Sequence, residues 1–319
     1  MESFCISIIF QRPSGQPVAL PQSTCNVLPV EYHRTPFTKA DLTFLVQLMQ
    51  HHLIILFLLL FHRRSLFVSG ITTALCFLTR NPSDETLRFA QELAADAVRY
   101  DLHVFIMVDD NKRNLTTLNA SAPLRLLQIT NDQPLQHGFH QTISLGPGWA
   151  DVSSWDKALF YFCVLQKQYE FVWLIEEDVF IPSARAVRSL HQLYANTSDL
   201  VIPRSGINRL GDPGSWLWGM TVGKFVPPWA CSMVNMMGLS RRMLAHVHEY
   251  VRWRGAVPFH EFFFNTLAMQ QPNLSMVAPT ELSGIVYRAE YTFEQIQLQP
   301  NNMWHSLKDF ELQKTWRER

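Results

Sequence analysis

The chain has 319 residues, enough for one large domain or two ordinary ones around a substantial core. Its 27 basic residues balance its 27 acidic ones, which gives no support to a basic surface built for nucleic acid or to an acidic disordered tail, and points to a small partner. Five widely spaced cysteines, Cys5, Cys25, Cys76, Cys163 and Cys231, form no CxxC pair; they argue against a disulfide framework while leaving room for one bridge.

Residues 1–41 are interrupted by Pro13, Pro17, Pro21, Pro29 and Pro36 and read as an irregular tail. Residues 42–61, LTFLVQLMQHHLIILFLLLF, carry no Asp, Glu, Lys or Arg and as a helix would run about 30 Å, one hydrocarbon thickness. A single membrane anchor over 42–64 is therefore expected. Gln47, Gln50, His51 and His52 leave only 53–61 continuously apolar, so a signal-peptide core or a packed helix is the alternative. Arg34 and Lys39 on one side match Arg63 and Arg64 on the other, and orientation is not set by charge. Four Asn-x-Ser/Thr triplets, at Asn114, Asn119, Asn196 and Asn273, are compatible with a lumenal, glycosylated C-terminal portion.

After Gly70, ITTALCFLT has strand length and ends at Thr79, where Asn81-Pro82 breaks it. The next stretch offers Ser83 or Asp84 as a cap and apolar residues at Leu87, Ala90, Leu93, Ala94, Ala97 and Val98, the spacing of a helix. LHVFIMV is a second buried strand that stops at Asp109-Asp110. Strand, helix, strand with short connections implies a right-handed crossover and a parallel sheet covered on both faces. A third strand is expected at LRLLQIT, a helix over 154–168, a fourth strand at EFVWLIE, a helix from about Ser183 and a fifth strand at DLVIP. This alternation predicts an α/β fold with an open, mostly parallel twisted sheet rather than a barrel. From 204 to 235 the sequence is rich in Gly, Pro, Trp and Met and reads as irregular surface that binds something or covers a site. Helices return at SRRMLAHVHEYVRW and HEFFFNTLAMQ before a polar C-terminal end.

The chemistry begins at YEFVWLIEEDVFIPS, residues 169–183, where a buried strand runs straight into Glu176, Glu177 and Asp178. Ligands of open α/β sheets sit at the carboxyl ends of the strands, and alternation turns Glu176 and Asp178 one way and Glu177 the other. Two like charges on one side repel unless a cation lies between them, which makes a hard divalent metal the economical reading. The alternative is a solvated acidic turn in which Glu177 pairs with an arginine.

In this setting VWLIEEDVFIPS resembles the Asp-x-Asp region of nucleotide-sugar-dependent glycosyltransferases of the Rossmann-like GT-A fold, and the order of elements over about 70–310 is similar to theirs. The resemblance implies a nucleotide-diphosphate sugar donor held through Mn2+ or Mg2+, with Glu176 and Asp178 as ligands and Glu177 on the donor side. Glu176 stands where the family has Asp, which leaves Asp178 as the more direct ligand. NNMWHSLKDF resembles the segment that returns a His to the metal, so His305 would complete an O,O,N set and Lys308 would offset diphosphate charge. FHEFFFNTLA resembles the segment with which inverting members supply a catalytic base. Desolvation among phenylalanines would raise Glu261 toward the range useful for that role; a dipole-offsetting acid is the alternative.

Under the same resemblance Asp109 and Asp110 would face the nucleoside, Arg80 and Lys157 the nucleotide, and His260, Trp216, Trp218 and Trp229 the acceptor. Each has a plain alternative: a polar turn, a solvated helix start, a flanking residue, or aromatic core. GLSRRML resembles the strand–turn–helix behind the acceptor, with Ser240 as cap. Residues 70–203 would then be a nucleotide-binding half and 204–319 an acceptor-binding half of one domain. The implied activity is inverting transfer of a hexosyl or N-acetylhexosaminyl group to a glycan, lipid or protein hydroxyl. Its implied setting is the Golgi or secretory lumen, as a single-pass type II membrane protein. A non-catalytic sugar-binding protein and a metal-dependent phosphohydrolase are the alternatives. No GxxxxGK or GxGxxG loop follows the first strand, which disfavours nucleoside-triphosphate hydrolysis and dinucleotide redox chemistry.

Overall fold

Strands β1 (Thr73–Thr79), β2 (Leu102–Val108), β3 (Arg125–Gln128) and β4 (Phe171–Glu176) form the parallel half of a seven-stranded sheet in a computed structural model that describes residues 72–141, 152–215 and 217–319. The expected tail, the expected anchor at 42–64 and Trp216 lie outside the described residues. Among the described residues no helix is long and apolar enough to cross a membrane. The other strands are β5 (Leu200–Val201), β6 (Gly206–Asn208), β7 (Trp229–Cys231), β8 (Met236–Ser240), β9 (Met276–Val277), β10 (Gly284–Ile285) and β11 (Trp304–His305). The large sheet has the order β3-β2-β1-β4-β8-β5-β9, with β8 antiparallel to both β4 and β5. The expected mostly parallel α/β sheet is present. The GLSRRML segment supplies an internal strand of it, which local pattern alone did not place there.

The helices are α1 (Asp84–Ala97), α2 (Asp132–Gln136), α3 (Ser154–Phe160), α4 (Ala184–Tyr194), α5 (Arg241–Arg254), α6 (His260–Gln270), α7 (Phe293–Leu298) and α8 (Phe310–Glu318). Ser83 is the cap of α1, Ser183 of α4 and Ser240 of α5, each accepting a backbone N–H of the first turn. The helix expected over 154–168 is α-helical only to Phe160 and continues as a wider π turn over Tyr161–Leu165.

The two-residue strand period splits the core in two. Ala74, Cys76 and Leu78 of β1 and Val172 and Leu174 of β4 pack under α3, α5 and α6; Leu75, Phe77, Phe171, Trp173 and Ile175 pack under α1 and α4. The edge of the sheet is tied by Asp199, which accepts from Ser240 Oγ at 2.6 Å, from the Ser275 N–H at 2.9 Å and from Arg242.

The C-terminal chain returns to the carboxyl end of β4. Phe180 and Trp304 exchange two backbone hydrogen bonds of 2.7 and 3.0 Å, and the Leu307 N–H donates to Asp178 O at 2.8 Å. Helix α8 anchors this return: the buried Arg317 pairs with Glu85 of α1, donates to Ile181 O and lies 3.8 Å over the Phe89 ring.

Gly238, between β4 and β5, has no room for a side chain. A Cβ there would sit 2.5 and 2.7 Å from two Phe171 ring carbons and 3.0 Å from Trp173. Gly238→Ala is expected to destabilise the fold by about 1–3 kcal/mol, read as a lowered denaturant midpoint with an unchanged slope.

Candidate functional site

Because Glu176 is the last residue of β4 and in phase with Val172 and Leu174, it faces the α3 and α6 side, whereas Glu177 faces α1. The chain then turns, with the Val179 N–H donating to Glu176 O at 3.0 Å, and presents Asp178 beside the returning C-terminal strand. Glu176, Asp178 and His305 offer ligand atoms that all lie within 4.8 Å of one another, and His305 Nε2 is 3.5 Å from Asp178 Oδ2.

Glu176 is held from both oxygens. Trp155 Nε1 donates to Oε1 at 2.8 Å and Asn235 Nδ2 to Oε2 at 2.6 Å. Each carboxylate oxygen has a second lone pair, so both bonds orient the group without exhausting its capacity to ligate. Two carboxylates and one imidazole around one point are a donor set suited to a divalent cation such as Mn2+ or Mg2+. Burial pulls the His305 imidazolium down, but Asp178 and Glu176 outweigh it and leave its pKa above the usual histidine value. Binding a cation there would displace that proton.

Glu261 sits in the first turn of α6, near enough to the cluster to feel the charges of Glu176 and His305. Burial, reinforced by the charge of Glu176, pushes its carboxyl up to about 7, against the opposing pull of His260 and His305. The group is therefore poised to exchange a proton near neutrality. Glu177 has a different setting. Burial, reinforced by the charge of Asp178, raises its carboxyl, and the polar groups of Thr79, Ser83 and Thr86 oppose the rise; its Oε2 has no hydrogen-bond partner among the described residues.

A cavity of about 380 Å³ opens over the cluster, lined by Arg80, Trp155, Glu176, Glu177, Asp178 and Lys308 among others. A second, of about 420 Å³, shares Arg80 with it and is lined by Asp109, Asp110, Asn111 and Lys112. Arg80 and Lys308 are exposed. Asp110 accepts the Lys112 N–H at 2.9 Å in a turn. Together the two cavities run along the carboxyl ends of β1, β2 and β4. The larger groove elsewhere in the molecule, about 730 Å³, contains none of these residues.

Four expected contacts are corrected. Lys157 is fully buried, and its ammonium reaches Asp109 Oδ1 and O, both at 2.7 Å, and Asn111 Oδ1 at 2.9 Å. It fixes the end of β2 rather than facing a nucleotide. Trp218 and Trp229 are buried and stacked on each other at 6.3 Å, packed with Phe259 and Phe262, so neither offers a face to an acceptor. His260 is likewise buried: its Nε2 is 3.6 Å from Asp156 Oδ1 and its ring packs on Trp155 and Phe264. Irregular, Trp-rich sequence read as exposed loop, yet these rings close a satellite core under α6. Asn235, by contrast, went unnoticed in the sequence, where nothing local marks a residue 59 positions from its partner.

No family model matches the chain, and no curated protein matches it in sequence. Among solved structures it is similar to the galactosyltransferase LgtC in complex with donor and acceptor sugar analogs, at 8% identity and TM-score 0.41, over 77% of this chain and 95% of that one. An active-site mutant of LgtC gives 9% and 0.40 over the same shares. Mouse xyloside xylosyltransferase 1 in its apo form gives 10% and 0.37, over 75% of this chain and 98% of that one. Identities this low and TM-scores below 0.5 carry no weight for what this chain binds, which rests on its own residues.

A carboxyl raised by burial favours the fold when protonated. That stability is fully present below the ordinary glutamate value of 4.5 and is lost as pH rises toward about 7. Glu261→Gln should therefore raise the melting temperature of the metal-free protein at about pH 8 by a few degrees and leave it unchanged at about pH 4. Thermal unfolding of both proteins across that range measures the difference.

Proposed function

We propose that this chain is a metal-dependent glycosyltransferase that moves a sugar from a nucleotide-diphosphate donor to an acceptor hydroxyl. The observation that carries the reading is the convergence of Glu176, Asp178 and His305 at a strand end, with Glu261 close enough to feel Glu176 and His305. An acidic turn with no role in binding has no reason to gather a histidine from 127 positions away and a neutral-range carboxyl around itself.

In this reading Glu176, Asp178 and His305 hold Mn2+ or Mg2+, which when bound supplies Lewis-acid stabilisation of the departing diphosphate. Trp155 and Asn235 keep Glu176 in its ligating orientation. Arg80 and Lys308, both on the cavity wall, bring cationic charge to the diphosphate, and the Asp109–Asp110 cavity takes the nucleoside. Glu261 removes the acceptor proton as the hydroxyl oxygen attacks the anomeric carbon, and the nucleoside diphosphate leaves from the opposite face. Inversion follows from that single displacement. The four triplet asparagines, Asn114, Asn119, Asn196 and Asn273, are all exposed. Their exposure supports a lumenal, glycosylated domain of the secretory pathway, carried on the membrane by the 42–64 segment.

Incubation with a panel of nucleotide sugars should release nucleoside diphosphate only with Mn2+ or Mg2+ present. Asp178→Asn is expected to lower turnover about 100-fold or more, and Glu261→Gln by about 10²–10⁴ with donor binding retained. Release of inorganic phosphate instead, or turnover indifferent to chelation, would refute the assignment. For the lumenal setting, treatment with an N-glycosidase should increase the gel mobility of protein from secretory cells.

A further inference from the structure

A cavity of about 730 Å³, lined by residues 223–226 and by α5 and α6, shares no residue with the carboxylate cluster. Its volume is in the range of a ligand site rather than a packing defect. Two features define it. One wall is aromatic: Phe225 and Tyr250 stack at 5.2 Å, and Trp253 projects beside them, 73% exposed. The other is cationic. Lys224 donates to Met220 O at 2.6 Å, and Arg254 reaches Lys224 O at 3.4 Å while its guanidinium lies 4.0 Å over Trp253.

Neither cation has a carboxylate partner among the described residues. Glu249, also on the wall, points outward with its side chain 83% exposed, facing only His246 at 4.0 Å. Lys224 is half-buried, and burial alone lowers its ammonium below the ordinary lysine value. A partly desolvated cation without a counter-charge gains from any anion that enters. Local backbone holds it there: Gly223, at φ +73°, turns the chain after the Trp218–Thr221 turn, and the N–H groups of Lys224 and Phe225 both fold back onto Thr221 O. Gln270, at the end of α6, donates to Val226 O at 2.5 Å and closes the groove's floor.

We propose that this groove is a binding site for an acidic sugar, its pyranose ring against the exposed Trp253 and its carboxylate or sulfate on the cationic wall of Lys224 and Arg254. Aromatic faces suit the apolar side of a sugar ring, and paired cations suit an oxyanion. A flat lipid surface would engage the exposed Trp253 and Val226 but leave the concavity and its half-buried ammonium unused. The site does not depend on the chemistry proposed at Asp178.

Calorimetric titration of the whole chain tests it with four probes: a uronate-containing disaccharide, a sulfated disaccharide, a neutral disaccharide and inorganic sulfate. Either acidic disaccharide should bind at least about tenfold tighter than both the neutral sugar and inorganic sulfate, and more weakly as salt rises. The uronate and sulfate arms show which oxyanion is preferred. Lys224→Met and Trp253→Ala, both away from the core, should each weaken that binding about tenfold, and Asp178→Asn should leave it intact. Equal affinity for the neutral sugar, sulfate binding as well as its sugar, or binding indifferent to Lys224→Met would overturn the proposal. So would the absence of sugar binding together with capture by vesicles containing phosphatidylserine. Loss of turnover in Asp178→Asn with sugar binding retained would separate this site from the first.

Discussion

Two hydrogen bonds to one carboxylate organise the site. Glu176 is the first charged residue after five buried ones, and left to itself it would fold away from Asp178. Trp155 from α3 and Asn235 from the approach to β8 hold one oxygen each, and the backbone repeats the restraint, because the Glu176 N–H donates to Asn235 O at 2.8 Å. The carboxylate is thereby set toward Asp178 and His305 before any ligand arrives, so the repulsion is met by the fold and relieved by whatever cation enters. Helix α3, strand β8 and the end of β4 are all needed for that one orientation.

Much of the scaffold could be read from the chain in order. The strands at 73–79, 102–108 and 171–176 are apolar on both faces and short, and the caps at Ser83, Ser183 and Ser240 follow from local side-chain chemistry. Glu176 and Asp178 could be picked out because charge abutting a core strand is costly without a reason. What eluded local reading was anything decided by distant partners. Trp218 and Trp229 look like loop aromatics until Phe259 and Phe262 cover them, and Lys157 looks like a solvated helix start until Asp109 and Asn111 surround its ammonium. Met236–Ser240 joins the sheet antiparallel because β4 and β5 leave a gap of one strand between them, a condition with no signature in five residues.

The buried ions follow one rule. Lys157 meets a carboxylate and two carbonyl-type oxygens, and Asp199 meets an arginine, two hydroxyls and a backbone N–H. Both serve to fasten strand ends, at β2 and at the β5–β8–β9 edge. Glu261 departs from the rule, since it is half-buried with no ion pair to an arginine or lysine among the described residues and its carboxyl is pushed up to about 7. Its setting differs from those of Lys157 and Asp199, whose partners fasten strand ends.

The arrival of His305 on β11, far along the chain from both carboxylates, has a consequence for what holds the cluster together. Six of the seven strands of the large sheet, both carboxylates and Glu261 precede residue 262, whereas β9 and His305 lie beyond it. The imidazole is brought to the carboxylates by the bridge between β11 and Phe180, and helix α8 behind it is docked through Arg317 on Glu85. Loosening that docking would release the imidazole while leaving both carboxylates at the end of β4.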